Sequence, residues 1–136
     1  MMQNKILVIE DKDGLRETIV QLLKIQKYEV YAAENGLSGF NAILLHKPDV
    51  VICDVQMPKL NGYGVLRCIN ELIPKERMPS FLFLTSRCQQ EDIDTGLKLG
   101  ADDFITKPFM LEELLGSIRR SLKKNAQRQN GKCDLN

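Results

Sequence analysis

The chain has no tryptophan and a single histidine, His46. No apolar run approaches the length needed to cross a membrane, and the N-terminus carries no signal-peptide core. Four cysteines (Cys53, Cys68, Cys88 and Cys133) form neither a CxxC pair nor a disulfide-framework spacing, so reduced cytoplasmic thiols are the expectation. A formal net charge of +1 removes any global pull toward nucleic acid or an anionic membrane. No GxxxxGK[ST] or GxGxxG loop is present, so nucleotide binding has no anchor. His46 falls at the end of an expected helix, where a charge or a solvated ring is the plain reading. A phosphate-donating histidine belongs to a helical bundle, and this chain has none.

What is present is strict alternation of strand and helix. The 136 residues, 43% hydrophobic, suffice for one packed domain. Strands are expected at 5–9, 29–33, 49–53, 80–84 and 103–106, and helices at about 13–26, 36–46, 62–72, 88–99 and 110–124. Leu15, Ile19, Leu22 and Leu23 share one helical face, as do Leu111, Leu114, Leu115, Ile118 and Leu122. Continuous apolar strands such as Val50-Val51-Ile52 and Phe81-Leu82-Phe83-Leu84 fit a sheet covered on both faces. Breakers fall between elements, at Lys47-Pro48, Asn61-Gly62, Ile73-Pro74, Met78-Pro79 and Leu99-Gly100. The outcome is an α/β fold, an open doubly wound parallel sheet of five βα units.

Charged and hydroxylic residues collect where those strands stop. Glu10 and Asp11 follow the first strand and Asp54 the third, Thr85 follows the fourth, and Lys107 follows the fifth. The carboxyl ends of parallel strands are where α/β proteins place their chemistry. Three carboxylates there repel one another unless a cation sits between them. Taken singly, Asp11 reads as a helix cap, Thr85 as another, Lys107 as a surface lysine and Phe104 as a core aromatic. Cys53, beside Asp54, reads as a small buried hydrophobe.

Four segments carry more than this pattern. They are Ile6-Leu7-Val8-Ile9-Glu10-Asp11, the run Asp54–Gly62, Leu84-Thr85-Ser86-Arg87 and the run Gly100–Phe109. In that order, each at its own strand end, they resemble the receiver domain of two-component response regulators over roughly residues 4–124. The resemblance implies a flavodoxin-like fold with strand order 2-1-3-4-5, a receiver over 1–124, and a polar basic tail or linker remnant over 125–136. It implies Asp54 as phosphoacceptor, with Mg²⁺ held by Asp11 and Asp54, by Glu10 through water, and by the backbone carbonyl of Gln56. Lys107 would supply a second cation, aimed inward by a cis Lys107–Pro108 peptide. The Thr85 hydroxyl and the Ser86 N–H would bind phosphoryl oxygens. Gln56 and Arg87 would flank the path of hydrolytic water. Thr85 and Phe104 would switch the surface of the fourth helix, fifth strand and fifth helix.

The implied partners are a sensor histidine kinase or a histidine phosphotransfer protein upstream. Downstream they are an output domain, an effector protein, or a second copy of the chain on phosphorylation. Winged-helix members of the family dimerise through ion pairs at positions that here hold Ile93, Glu113 and Ser117, so two of three charged members are missing. The tail bears Arg119, Arg120, Lys123, Lys124, Arg128 and Lys132 against Asp134, without aromatics or a DNA-binding helix pair, and reads as a solvated end rather than a nucleic-acid contact.

Other doubly wound proteins fit less well. Haloacid-dehalogenase-type phosphatases need a second Asp two positions after the nucleophile, where this chain has Gln56. Flavodoxins bind phosphate in the first βα loop, which here holds Glu10, Asp11 and Asp13 and would repel it. The alternative function from a different class is a metal-dependent phosphatase acting on small phosphate esters.

Overall fold

The structure is a computed structural model that describes residues 3–86 and 89–134, the side chains of 128–134 excepted. Parallel strands β1 (Lys5–Ile9), β2 (Glu29–Ala33), β3 (Val50–Cys53), β4 (Ser80–Thr85) and β5 (Asp103–Thr106) pair in the order β2-β1-β3-β4-β5. Helices α1 (Asp13–Ile25), α2 (Gly36–His46), α3 (Gly62–Leu72), α4 (Gln90–Lys98) and α5 (Leu111–Asp134) connect and cover them. A short 3₁₀ turn, Lys75–Arg77, precedes β4.

Alternation along each strand sends side chains to two separate cores. Ile6, Val8, Ile52, Leu82, Leu84 and Ile105 meet α1 and α5 on one face. Leu7, Ile9, Val51, Cys53, Phe81 and Phe83 meet α2, α3 and the α4 side on the other. The expected apolar faces of α1 and α5 are the ones that pack, through Ile19 and Leu23 and through Leu114, Leu115 and Ile118. Side chains at the N-caps of α2 and α3 secure their starts: Asn35 accepts the Ser38 N–H at 2.9 Å, and Asn61 accepts the Gly64 N–H at 2.8 Å.

The ends depart from expectation in several places, among them β4, which runs on to Thr85. Asp49 lies just outside β3, and its carboxylate accepts the Lys5 N–H at 2.7 Å at the amino edge of the sheet. His46 ends α2 as expected, and its half-exposed ring also stacks on Tyr31 of β2 with centroids 3.9 Å apart. Helix α5 continues through the polar tail to Asp134 instead of ending near 124. Its continuation is anchored by Asn125, whose Nδ2 donates to the Asp49 carbonyl at 3.1 Å and whose Oδ1 accepts the Ser80 hydroxyl at 3.0 Å. Among the described residues no helix is long and apolar enough to cross a membrane.

Candidate functional site

The sheet ladder runs one residue past three of its strands, and that extension sets the site. Glu10 N–H donates to Ala33 O at 3.1 Å, Asp54 N–H to Ile9 O at 3.1 Å, and Lys107 N–H to Thr85 O at 2.9 Å. Three charged side chains are thereby fixed by backbone rather than left on mobile loops. The approach of α3 to this edge requires a glycine. A Cβ on Gly62 would lie 2.4 Å from the Asp54 carbonyl oxygen and 2.8 Å from the Phe83 ring.

Lys107 reaches across to both buried acids. Its Nζ donates to Glu10 Oε1 at 2.6 Å and to Asp54 Oδ2 at 2.9 Å. Glu10 and Asp54 are 1% and 8% exposed, whereas Asp11 is the most exposed of the three acids. Burial raises the Glu10 carboxyl above its usual range; the Lys107 hydrogen bond opposes that rise and Asp11 adds to it. Burial alone would lower the Lys107 ammonium, but hydrogen bonds and charge from Asp54 and Glu10 outweigh it, and the net shift is upward. The remaining oxygens are used locally: Glu10 Oε2 accepts the Lys12 N–H at 3.2 Å, and Asp54 Oδ1 accepts the Gln56 N–H at 3.3 Å.

One carboxylate oxygen from each of Glu10, Asp11 and Asp54 can be chosen so that all lie within 4.8 Å of one another. Hard oxygens at that spacing, two of them buried and only partly neutralised by one lysine, suit a small divalent cation. The cluster opens into a cleft of about 920 Å³ between α1 and the residues that follow β5. Gln56, Ser86 and Lys107 line it beside the acids, with Leu15, Leu22 and Phe109 among its apolar residues.

Most of the expected residues therefore converge. Thr85 is buried at the last register pair of β4 and β5, opposite Thr106. The Lys107–Pro108 peptide is cis, as the resemblance implied. Phe104 is half-buried on the other face, its ring 5.1 Å from that of Phe83. Cys53 is fully buried, as expected of a small hydrophobe. Arg87 lies outside the described residues. The Ser117 hydroxyl donates to Asp103 Oδ2 at 2.6 Å, and Arg120 lies 3.5 Å from the same oxygen.

One residue escaped sequence reasoning. Arg16, on the first turn of α1, donates from Nη1 to the Glu10 carbonyl at 2.8 Å and from Nη2 to Asp13 at 2.6 Å. It ties the acid-bearing loop to α1. A basic residue just after three closely spaced acids was the available signal.

Comparisons with known proteins place the chain among its relatives. The family described as response regulator receiver domain matches residues 6–119. The probable transcriptional regulator ycf27 of Porphyridium aerugineum is 39% identical over 124 residues, covering 91% of this chain and 50% of that protein. The transcriptional regulatory protein RprY of Bacteroides fragilis is 36% identical over 134 residues, covering 96% and 54%. The solved structure of the chemotaxis protein CheY4 of Vibrio cholerae superposes with a TM-score of 0.82 at 27% identity, over 89% of this chain and 100% of that one. The chain spans about half the length of the curated relatives it matches.

Proposed function

The chain belongs to the response regulator receiver domain family of two-component signalling, and on that premise we propose that Asp54 accepts a phosphoryl group from a phosphohistidine. The donor is a sensor histidine kinase or a histidine phosphotransfer protein. The carrying observation is the Asp54 carboxylate, held at a strand end, 2.9 Å from the Lys107 ammonium and beside two further acids.

Each group of the site has a part in the proposed transfer. An Asp54 oxygen attacks phosphorus, the P–N bond to the donor imidazole breaks, and the imidazole leaves with the electron pair. Two anionic partners must meet for this, so cationic charge has to face the entering group. Lys107 supplies one such charge and is already held by Asp54 and Glu10. Asp11 and Asp54 would hold Mg²⁺, with Glu10 through water and the Gln56 carbonyl completing the protein ligands. When bound, the ion supplies charge neutralisation for the phosphoryl oxygens. The Thr85 hydroxyl and the Ser86 N–H are the proposed donors to those oxygens. The apolar residues beside the cleft, Leu15, Leu22 and Phe109, suit docking of the helix that presents the phosphohistidine.

A signalling domain that modifies only itself follows from this chemistry, and the reaction belongs in the cytoplasm, where such donors are charged from ATP. The phosphorylated state acts through Thr85 and Phe104 on the α4–β5–α5 surface, toward an output domain, an effector or a second copy. The test is mass spectrometry after incubation with acetyl phosphate and Mg²⁺. One added phosphoryl group, lost in Asp54→Asn, is expected. Equal labelling of that variant would refute the assignment.

A further inference from the structure

Helix α4 is a polar helix that buries little of its own surface. Its buried residue is Gly96, while Leu97 on the same helix is 50% exposed. Two hydrogen bonds from α3 secure its ends: the Tyr63 hydroxyl donates to Asp92 O at 3.1 Å, and Asn70 Nδ2 donates to Leu99 O at 2.7 Å. Between them the helix rests on aromatic rings. A Cβ on Gly96 would fall 2.4 Å from both Cε2 and Cζ of Phe104 and 3.3 Å from Cδ2 of Phe83. The tip of the Phe104 ring thus lies directly against the α4 backbone. Alanine would be better than glycine in a helix interior on intrinsic preference, so the glycine here is explained by space.

We propose that Gly96 is the positioning residue of the switch, the seat through which the Phe104 ring sets where α4 lies. The proposal rests on the receiver reading and adds to it how the ring's position reaches the output surface. With the ring seated, the α4 backbone closes onto it and the helix has a buried anchor. With the ring turned out, α4 loses that anchor and retains the Tyr63 and Asn70 bonds at its ends. Ring position and helix position are therefore one coupled variable, and anything that favours the seated ring favours the seated helix by the same factor. Gly96 is the buried residue of α4, whereas Asp92 and Ile93 on the same helix are half-buried.

A double-mutant cycle tests the seat. Gly96→Ala is expected to lower the urea midpoint, because the new methyl group displaces the ring. In a Phe104→Ala background the same substitution is expected to raise the midpoint, because the helix gains and no ring is in the way. Equal effects in both backgrounds, or a raised midpoint in the wild-type background, would overturn the proposal. Should Gly96→Ala alone fail to fold, recovery of folding on adding Phe104→Ala supports the seat, and no recovery overturns it. Beryllofluoride with Mg²⁺, followed by amide NMR, supplies the functional readout. Wild-type protein is expected to respond both around Asp54 and across residues 90–98. Gly96→Ala is expected to respond around Asp54 with the α4 shifts reduced several-fold. An undiminished α4 response in that variant would overturn the proposal. A lack of response around Asp54 in both proteins would instead refute the receiver reading, leaving the stability cycle to decide the role of Gly96.

Discussion

Lys107 stands closer to Glu10 than to the phosphoacceptor candidate: its ammonium is 2.6 Å from Glu10 Oε1 and 2.9 Å from Asp54 Oδ2. One cation is shared by two buried carboxylates, and the third acid, Asp11, lies in the same cluster. The site is consequently short of positive charge.

That shortage predicts stabilisation by Mg²⁺. Ligand that binds only the folded chain adds about 2.7 kcal/mol at a concentration a hundredfold above Kd. Thermal unfolding followed by circular dichroism should show a midpoint rising with Mg²⁺, and a much smaller rise in Asp11→Ala. An identical rise in both proteins would remove Asp11 from the ligand set.

Removing the lysine should expose the repulsion. Lys107→Ala leaves Glu10 and Asp54 unpaired at low exposure, at a cost of about 1–3 kcal/mol near neutral pH. The sign with pH follows from the upward shift of Glu10. Its proton is held more tightly in the folded state, so its contribution is full below the ordinary value of 4.5 and is lost as pH rises through the folded value. The Lys107 contribution, with a folded value shifted above 10.5, is present throughout that range and is lost only at strongly alkaline pH. The penalty of Lys107→Ala should therefore shrink as the pH falls. Urea unfolding at about pH 5 and about pH 8 checks it; a penalty independent of pH would contradict the pairing.

Asn125 offers a test of where the domain ends. Hydrogen bonds from its side chain to Ser80 and Asp49 close the amino edge of the sheet. At about 1 kcal/mol each, Asn125→Ala should lose about 1–2 kcal/mol, while Arg119→Ala on the exposed face changes little. A chain cut after 124 should lose as much as Asn125→Ala, and a chain cut after 127 should not. Equal stability of the two truncations would place the boundary at 124.

Cys53 should resist alkylation. Burial pushes its thiol well above the usual range, and the nearby charges of Asp54 and Glu10 add to the shift. Iodoacetamide followed by peptide mapping should leave Cys53 unmodified until denaturant opens the sheet. Labelling of the native protein at the rate of an exposed thiol would show that β3 opens locally.

Periodicity and end-of-strand chemistry made the five βα units legible, because buried parallel strands and amphipathic helices write their environment into local sequence. Glu10, Asp11, Asp54, Thr85 and Lys107 could be singled out for the same reason, each marked by the end of an apolar run. Strand order came with the family resemblance rather than from any local pattern. Only the folded chain decided that Lys107 spans Glu10 and Asp54, since those contacts join residues 97 and 53 positions apart. Only it showed Arg16 on the Glu10 carbonyl, His46 stacked on Tyr31, and Asn125 drawn out of an apparently solvated tail. The seat of Phe104 on Gly96 is of the same kind. A glycine announces nothing by itself; what it is for depends on the ring that another strand brings against it.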